Sequence, residues 1–194
     1  MSAGSLDDFA SELEARIGRP ACVRPFVCDG SPLECRAMIV GSYPAVALDL
    51  DFWEFWEPGV GFRRDAWDAR YREARKRLGK PAVSPTRERI NRISEASGWG
   101  CCLESNVEPT PNRTGPHVLD FLLHSVRPAV VLAFGADARS YFARQWNVAR
   151  EATDDFRPVS TPWGTVQLRM TSHLLMKKYD WAEDVGRVIA GIVG

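Results

Sequence analysis

The sequence predicts an α/β sandwich with a mainly parallel sheet. Short apolar runs alternate with amphipathic stretches along the chain, as strands joined by crossover helices do. At 194 residues with 45% apolar and 26% charged side chains, one domain can bury a full core. Two apolar runs, "AMIVG" and "AVVLAFG", also stop at a glycine followed by small or turn-forming residues, the pattern of a strand running into a loop.

The elements follow in order. Residues 5–17 read as an amphipathic helix with Phe9, Leu13 and Ile17 on one face, and residues 1–30 form this helix and a lead-in. "RAMIVG" is a buried strand, followed by "SYPA" and the aromatic loop "DFWEFWEPGVGF". A basic helix runs from about 64 to 79. "SPTRERINRISEASG" is a helix with Ser84 as N-cap, Pro85 at the first position and Gly98 beyond its end. "CCLESNV" is a strand and "PTPNRTGP" a stiff loop. "HVLDFLLHSV" (helix), "PAVVLAFG" (strand) and "ADARSYFARQW" (helix) come next. "GTVQLRMTSH" is the last strand, and "DWAEDVGRVIAGIV" closes as a helix.

Composition narrows the function classes. No apolar run approaches the roughly 18 residues of a membrane span, and the acidic N-terminus lacks a signal peptide's pattern, so a cytoplasmic protein is expected. The five cysteines, 22, 28, 35, 101 and 102, contain no C-x-x-C pair and are expected as reduced structural thiols. Formal net charge is zero but unevenly spread. Residues 1–62 carry 4 basic and 10 acidic side chains, whereas residues 63–92 carry 11 and 4. That basic stretch has two readings: a solvated helix face with i, i+4 ion pairs, or a phosphate-contacting patch.

In parallel sheets ligands gather at the carboxyl ends of the strands. The segments there, "GSYPA", "SNVEPTPNR", "GADA" and "SHLLMKK", are expected to converge. Asn106 offers a donor and an acceptor side by side, suited to a pyrimidine edge, although a turn asparagine more commonly satisfies local backbone. His173 also ends a strand and can stabilise an anion leaving a broken bond, although a lone histidine there is usually structural.

In combination these segments resemble the uracil-DNA glycosylase superfamily over roughly residues 36–192. "SNVEPTPNRTG", then Arg127-Pro128 before an apolar strand ending in Gly135 and Ala138, is similar in layout to the family's iron–sulfur branch. "MTSHLL" resembles the second active-site motif, and "VGSYPA" stands where the first should. The resemblance implies one domain over residues 1–194, a three-layer α/β/α sandwich with a short, mostly parallel central sheet. It implies a monomer that hydrolyses the bond between a flipped-out base and deoxyribose in DNA. Gly41 and Pro44 then shape the loop beside that bond, and the backbone N–H groups of Ser42 and Tyr43 bind base or water. Asn106 reads the base edge and His173 stabilises the base anion. Phe62 or Phe52 stacks on the base. Leu175 or Met176 fills the vacated stack, with Lys177, Lys178 and the loop's Arg113 on the DNA.

Departures from the pattern refine the expectation. Ser42 and Tyr43 occupy the place of an acid that positions water in other branches, and neither is a base at neutral pH. Water activation is then expected from Ser42 as an orienting hydroxyl or from a carboxylate supplied elsewhere, with Asp49, Asp51 and Glu104 the nearby candidates. The cysteines lack the iron–sulfur branch's close pair, so no cluster, metal or cofactor is expected. Ala45 replaces a bulky tyrosine that screens the pyrimidine C5 position, which points to 5-modified pyrimidines, for example modified cytosines of phage DNA, and to a role in antiviral defence. Two rival expectations stand beside this one: a catalytically silent DNA- or partner-binding member of the fold, and a nucleotide-metabolising enzyme with no DNA role.

Overall fold

The computed structural model describes residues 4–44, 46, 49–111, 117–153 and 155–194. Its centre is a six-stranded mixed sheet. The strands are β1 (Phe26–Val27), β2 (Ala37–Gly41), β5 (Cys102–Asn106), β6 (Val130–Phe134), β7 (Arg157–Thr161) and β8 (Gly164–Thr171). Two further strands, β3 (Trp56–Glu57) and β4 (Gly61–Phe62), form a separate ribbon. The sheet order is β1-β5-β2-β6-β8-β7. The four inner strands pair in parallel, while β1 and β7 add antiparallel edges. The architecture is therefore α/β with a mixed, mostly parallel sheet, compatible with three layers.

Among the described residues six helices surround it: α1 (Leu6–Ile17), α2 (Arg64–Arg77), α3 (Pro85–Ser97), α4 (Leu119–Val126), α5 (Ala136–Gln145) and α6 (Tyr179–Val193). Local chemistry explains their ends. Ser5 and Asp8 close a capping box on α1, and Ser84 caps α3 ahead of Pro85 as its sequence predicts.

Strand alternation splits the core in two. Met38, Val40, Leu103, Val131 and Ala133 face one cluster with Phe9 and Leu13 of α1, Leu122 of α4 and Phe142 of α5. Ala37, Ile39, Val130, Leu132 and Phe134 face the other, with Ile93 of α3 and Val185 and Ile189 of α6. The residues of the candidate site lie at the carboxyl ends of the inner strands, on the α3–α6 side.

The antiparallel edge strands β1 and β7 were not expected from the sequence. β1 has only two residues, and β7 alternates weakly between exposed and half-buried positions, so neither shows a core-facing pattern. The basic stretch is mostly an ion-paired helix surface: Arg63 meets Glu57, Arg70 and Arg77 both meet Glu73, and Arg92 meets Glu88 and Glu183. Three of its arginines, Arg64, Arg75 and Arg87, are instead buried.

Candidate functional site

The expected convergence occurs. Ser42, Tyr43 and Pro44 after β2, Asn106 at the end of β5, Gly135 to Asp137 after β6, and Ser172 and His173 after β8 line one cavity of about 600 Å³. Two backbone bonds fix the floor. Val107 N–H donates to the Gly41 carbonyl at 2.9 Å and Glu108 N–H to the Ser42 carbonyl at 3.0 Å, continuing the β2–β5 pairing into the loops. Gly135 has φ +86°, and a Cβ there would lie 2.9 Å from Ser42 Oγ, so glycine lets the two loops touch.

Gly41 and Asn106 are register partners. Asn106 is only 5% exposed, yet its carboxamide makes no hydrogen bond to any described residue. A buried amide without a partner costs free energy, and its neighbours here are the cavity and the bare Gly41 backbone. A ligand edge with one donor and one acceptor would satisfy it.

His173 stands at the rim. Its Nδ1 accepts the Leu175 N–H at 3.2 Å, and its ring lies edge-on to Phe134 at 5.8 Å. Partial desolvation holds its imidazole below the usual histidine value, so it is neutral at pH 7. With Nδ1 accepting, the neutral ring carries its proton on Nε2 and offers a donor on the ring's other side.

Behind Asn106 lies a buried ion cluster. Glu104 accepts from Arg64 of α2 at 2.7 Å and from Arg87 of α3. Burial pushes the Glu104 carboxyl up, but the two guanidinium groups outweigh it and hold the group below its ordinary range. Arg64 also approaches Asp68 at 3.8 Å. Arg24, just before β1, lines the same cavity, and its guanidinium makes no hydrogen bond or ion pair with any described residue. Desolvation, then repulsion from Arg87, pushes its pKa down to about 10, so it remains a cation at pH 7.

The expected base-stacking aromatics are placed elsewhere. Phe62 is 1% exposed and packs against Phe26, Phe52 and Phe55 in the core below α1. Phe52 lines a second cavity, of about 310 Å³, which shares Arg24, Pro44 and Val46 with the first. The aromatic rings that do line the main cavity are Tyr43, Tyr71 and, at the end of β6, Phe134. Of the carboxylates expected to act on water, Asp51 caps a 3-10 turn by accepting from Trp53 N–H and also binds Ala21 N–H, Asp49 sits beside the Cys22 thiol, and Glu104 is neutralised by arginines. Among the described residues, Asp137 is the other carboxylate lining the cavity.

Beyond His173, Leu174 is buried while Leu175 and Met176 are 51% and 76% exposed on a 3-10 turn. The turn is held by Met176 N–H on the His173 carbonyl and Lys177 N–H on that of Leu174. The Lys177 ammonium lies 5.1 Å over the Trp181 ring, and Lys178 is the exposed N-cap residue of α6. Ala45 and Arg113 lie outside the described residues.

Phe134, Asp137, Arg24 and Arg75 were missed from sequence. Phe134 precedes Gly135 and Asp137 lies two residues after it, so both were legible from the strand-end rule; nothing local marks Arg24, which the fold delivers from an otherwise acidic segment. Among the described residues no cluster of three or more metal-ligating side chains forms, and no helix is long and apolar enough to cross a membrane. Compared with known proteins, the chain matches no family model and no curated sequence.

Proposed function

We propose that the protein is a DNA glycosylase with a uracil-DNA glycosylase-like three-layer fold, releasing uracil or a 5-modified pyrimidine from a flipped-out nucleotide. The observation that carries this reading is the buried, unpartnered carboxamide of Asn106 in one cavity with the neutral imidazole of His173. A pyrimidine edge pairs with the first, and its carbonyl oxygen accepts from Nε2–H of the second.

In this reading a water oxygen bonds to C1′ as the N–C1′ bond breaks, and the electron pair leaves with the base. His173 Nε2–H stabilises the negative charge on the departing carbonyl oxygen without transferring its proton. Asp137 takes the water's proton, which neither Ser42 nor Tyr43 accepts at neutral pH, and the Ser42 hydroxyl helps to orient the water. The exposed Leu175–Met176 turn supports a wedge into the space the base leaves. A small side chain at Ala45 and the size of the cavity favour a substituent at C5.

The neutralisation of Glu104 by two arginines favours a second reading, a DNA-binding member of the fold without catalysis. Alkaline cleavage of oligonucleotides carrying uracil or 5-modified pyrimidines separates the two. Abasic sites that disappear with His173→Ala and Asn106→Ala support the glycosylase; binding without abasic sites on any substrate supports the second reading.

A further inference from the structure

The cavity holds more positive charge than a neutral base requires. Arg24, Arg75 and Arg87 all line it near Tyr71, with the Arg75 and Arg87 guanidinium groups 5.7 and 5.6 Å from that ring. Arg87 is matched by Glu104. Arg75 is buried and donates Nε–H to the Pro81 carbonyl at 2.7 Å, but neither it nor Arg24 has a carboxylate partner among the described residues. Ser84 and Thr86, at the start of the 13-residue helix α3, line the same wall, so the positive end of its dipole adds to the field.

Gathering like charges in a partly buried site is unfavourable unless an anion joins them. At Arg24 burial first, and then the neighbouring Arg87 charge, loosen the guanidinium proton. The cavity, at about 600 Å³, falls amid the roughly 300–1,000 Å³ of small-molecule sites and exceeds what a pyrimidine ring fills.

We infer that the cavity takes a pyrimidine carrying an anionic group, phosphate or carboxylate, with the ring on Asn106 and His173 and the anion on Arg24 and Arg75. This rests on the reading of Asn106 and His173 as base contacts. Guanidinium pairs match phosphate and carboxylate oxygens alike, so the anion belongs either to a sugar phosphate or to a substituent on the ring.

Calorimetric titration of the full chain with two matched pairs tests this. One pair is 2′-deoxyuridine 5′-monophosphate against 2′-deoxyuridine; the other is 5-carboxyuracil against thymine. Inorganic phosphate is titrated alone. At least one charged probe should bind about ten- to a hundredfold tighter than its neutral counterpart, the worth of charge-assisted hydrogen bonds. The pair that shows the preference identifies the source of the anion. Arg24→Met should abolish the preference and leave neutral-probe binding unchanged; Arg75→Gln gives the same readout if that variant fails to fold. Equal binding within both pairs, no binding by either charged probe, a preference surviving both substitutions, or phosphate alone matching the nucleotide would overturn the inference. Base release from uracil-bearing DNA is read separately. Its absence with the preference intact rejects the glycosylase reading alone, and its presence without the preference rejects the anion site alone.

Discussion

Gly41 lies beside Asn106 in the parallel β2–β5 pair, and a Cβ at position 41 would fall 2.9 Å from Asn106 Oδ1 and 2.6 Å from Phe134 Cζ. The missing side chain is what gives the carboxamide and the ring their positions at the cavity floor.

Gly41→Ala should therefore displace both groups at a stability cost of about 1–3 kcal/mol, the range for overpacking. Base release should drop with it. Asn106→Ala removes the carboxamide without crowding and should slow release about a hundredfold, equivalent to about 2–3 kcal/mol, while urea unfolding changes little. An Asn106→Ala variant with unchanged release would remove the residue from the site.

The pH profile should report His173. In the proposed reaction its neutral form is the working one, and its lowered pKa favours that form below the usual value of 6.5. Release should be flat above pH 6.5 and fall only on further acidification; His173→Ala should be slow with that step absent. The same shift makes protonation unfavourable in the folded chain, so this group withdraws stability as the pH drops below 6.5. A rate that rises between pH 6.5 and 5 would contradict the assigned role.

Glu104 should matter more for stability than for chemistry. Its carboxyl is held below the ordinary glutamate value of 4.5, so the stability it contributes is present above that pH and lost as acid passes through the lowered value. Glu104→Gln leaves two buried guanidinium groups without their charge partner and should cost about 3–5 kcal/mol in urea unfolding at pH 7. The deficit should shrink towards pH 3. A deficit independent of pH would assign the effect to packing.

Leu175 and Met176 make little use of their apolar surface in the free protein. The double substitution to alanine should leave the melting temperature unchanged and weaken base release from duplex DNA. Single-stranded substrate, which has no stack to fill, should be affected far less. Equal losses on both substrates would argue against a wedge.

The inner strands and the six helices were legible because their signals are local. Ser84 and Pro85 mark the start of α3, β2 and β6 are unbroken apolar runs buried on both faces, and β8 alternates Val166, Leu168 and Met170 with polar residues. The carboxyl ends of the strands likewise pointed to Ser42, Asn106 and His173. The aromatic loop misled, because Phe62 and Phe52 are equally good core residues and the sequence does not say which ring faces a cavity. The arginines misled for a related reason. Arg64, Arg75 and Arg87 share a helix-forming, charge-rich stretch with their exposed neighbours, and only the position of Glu104 on β5 and the packing of α2 and α3 separate them.

The central place of β2 also bears on how the chain is made. During translation β2 emerges early, yet its neighbours β5 and β6 and the last inner strand, β8, follow far behind it. A nascent chain thus leaves the ribosome with its most buried strand unpaired on both edges, which invites misassociation until the distal half arrives. Synthesis at low temperature or with holding chaperones should raise the soluble yield, and the N-terminal part alone is expected to be a poor expression target.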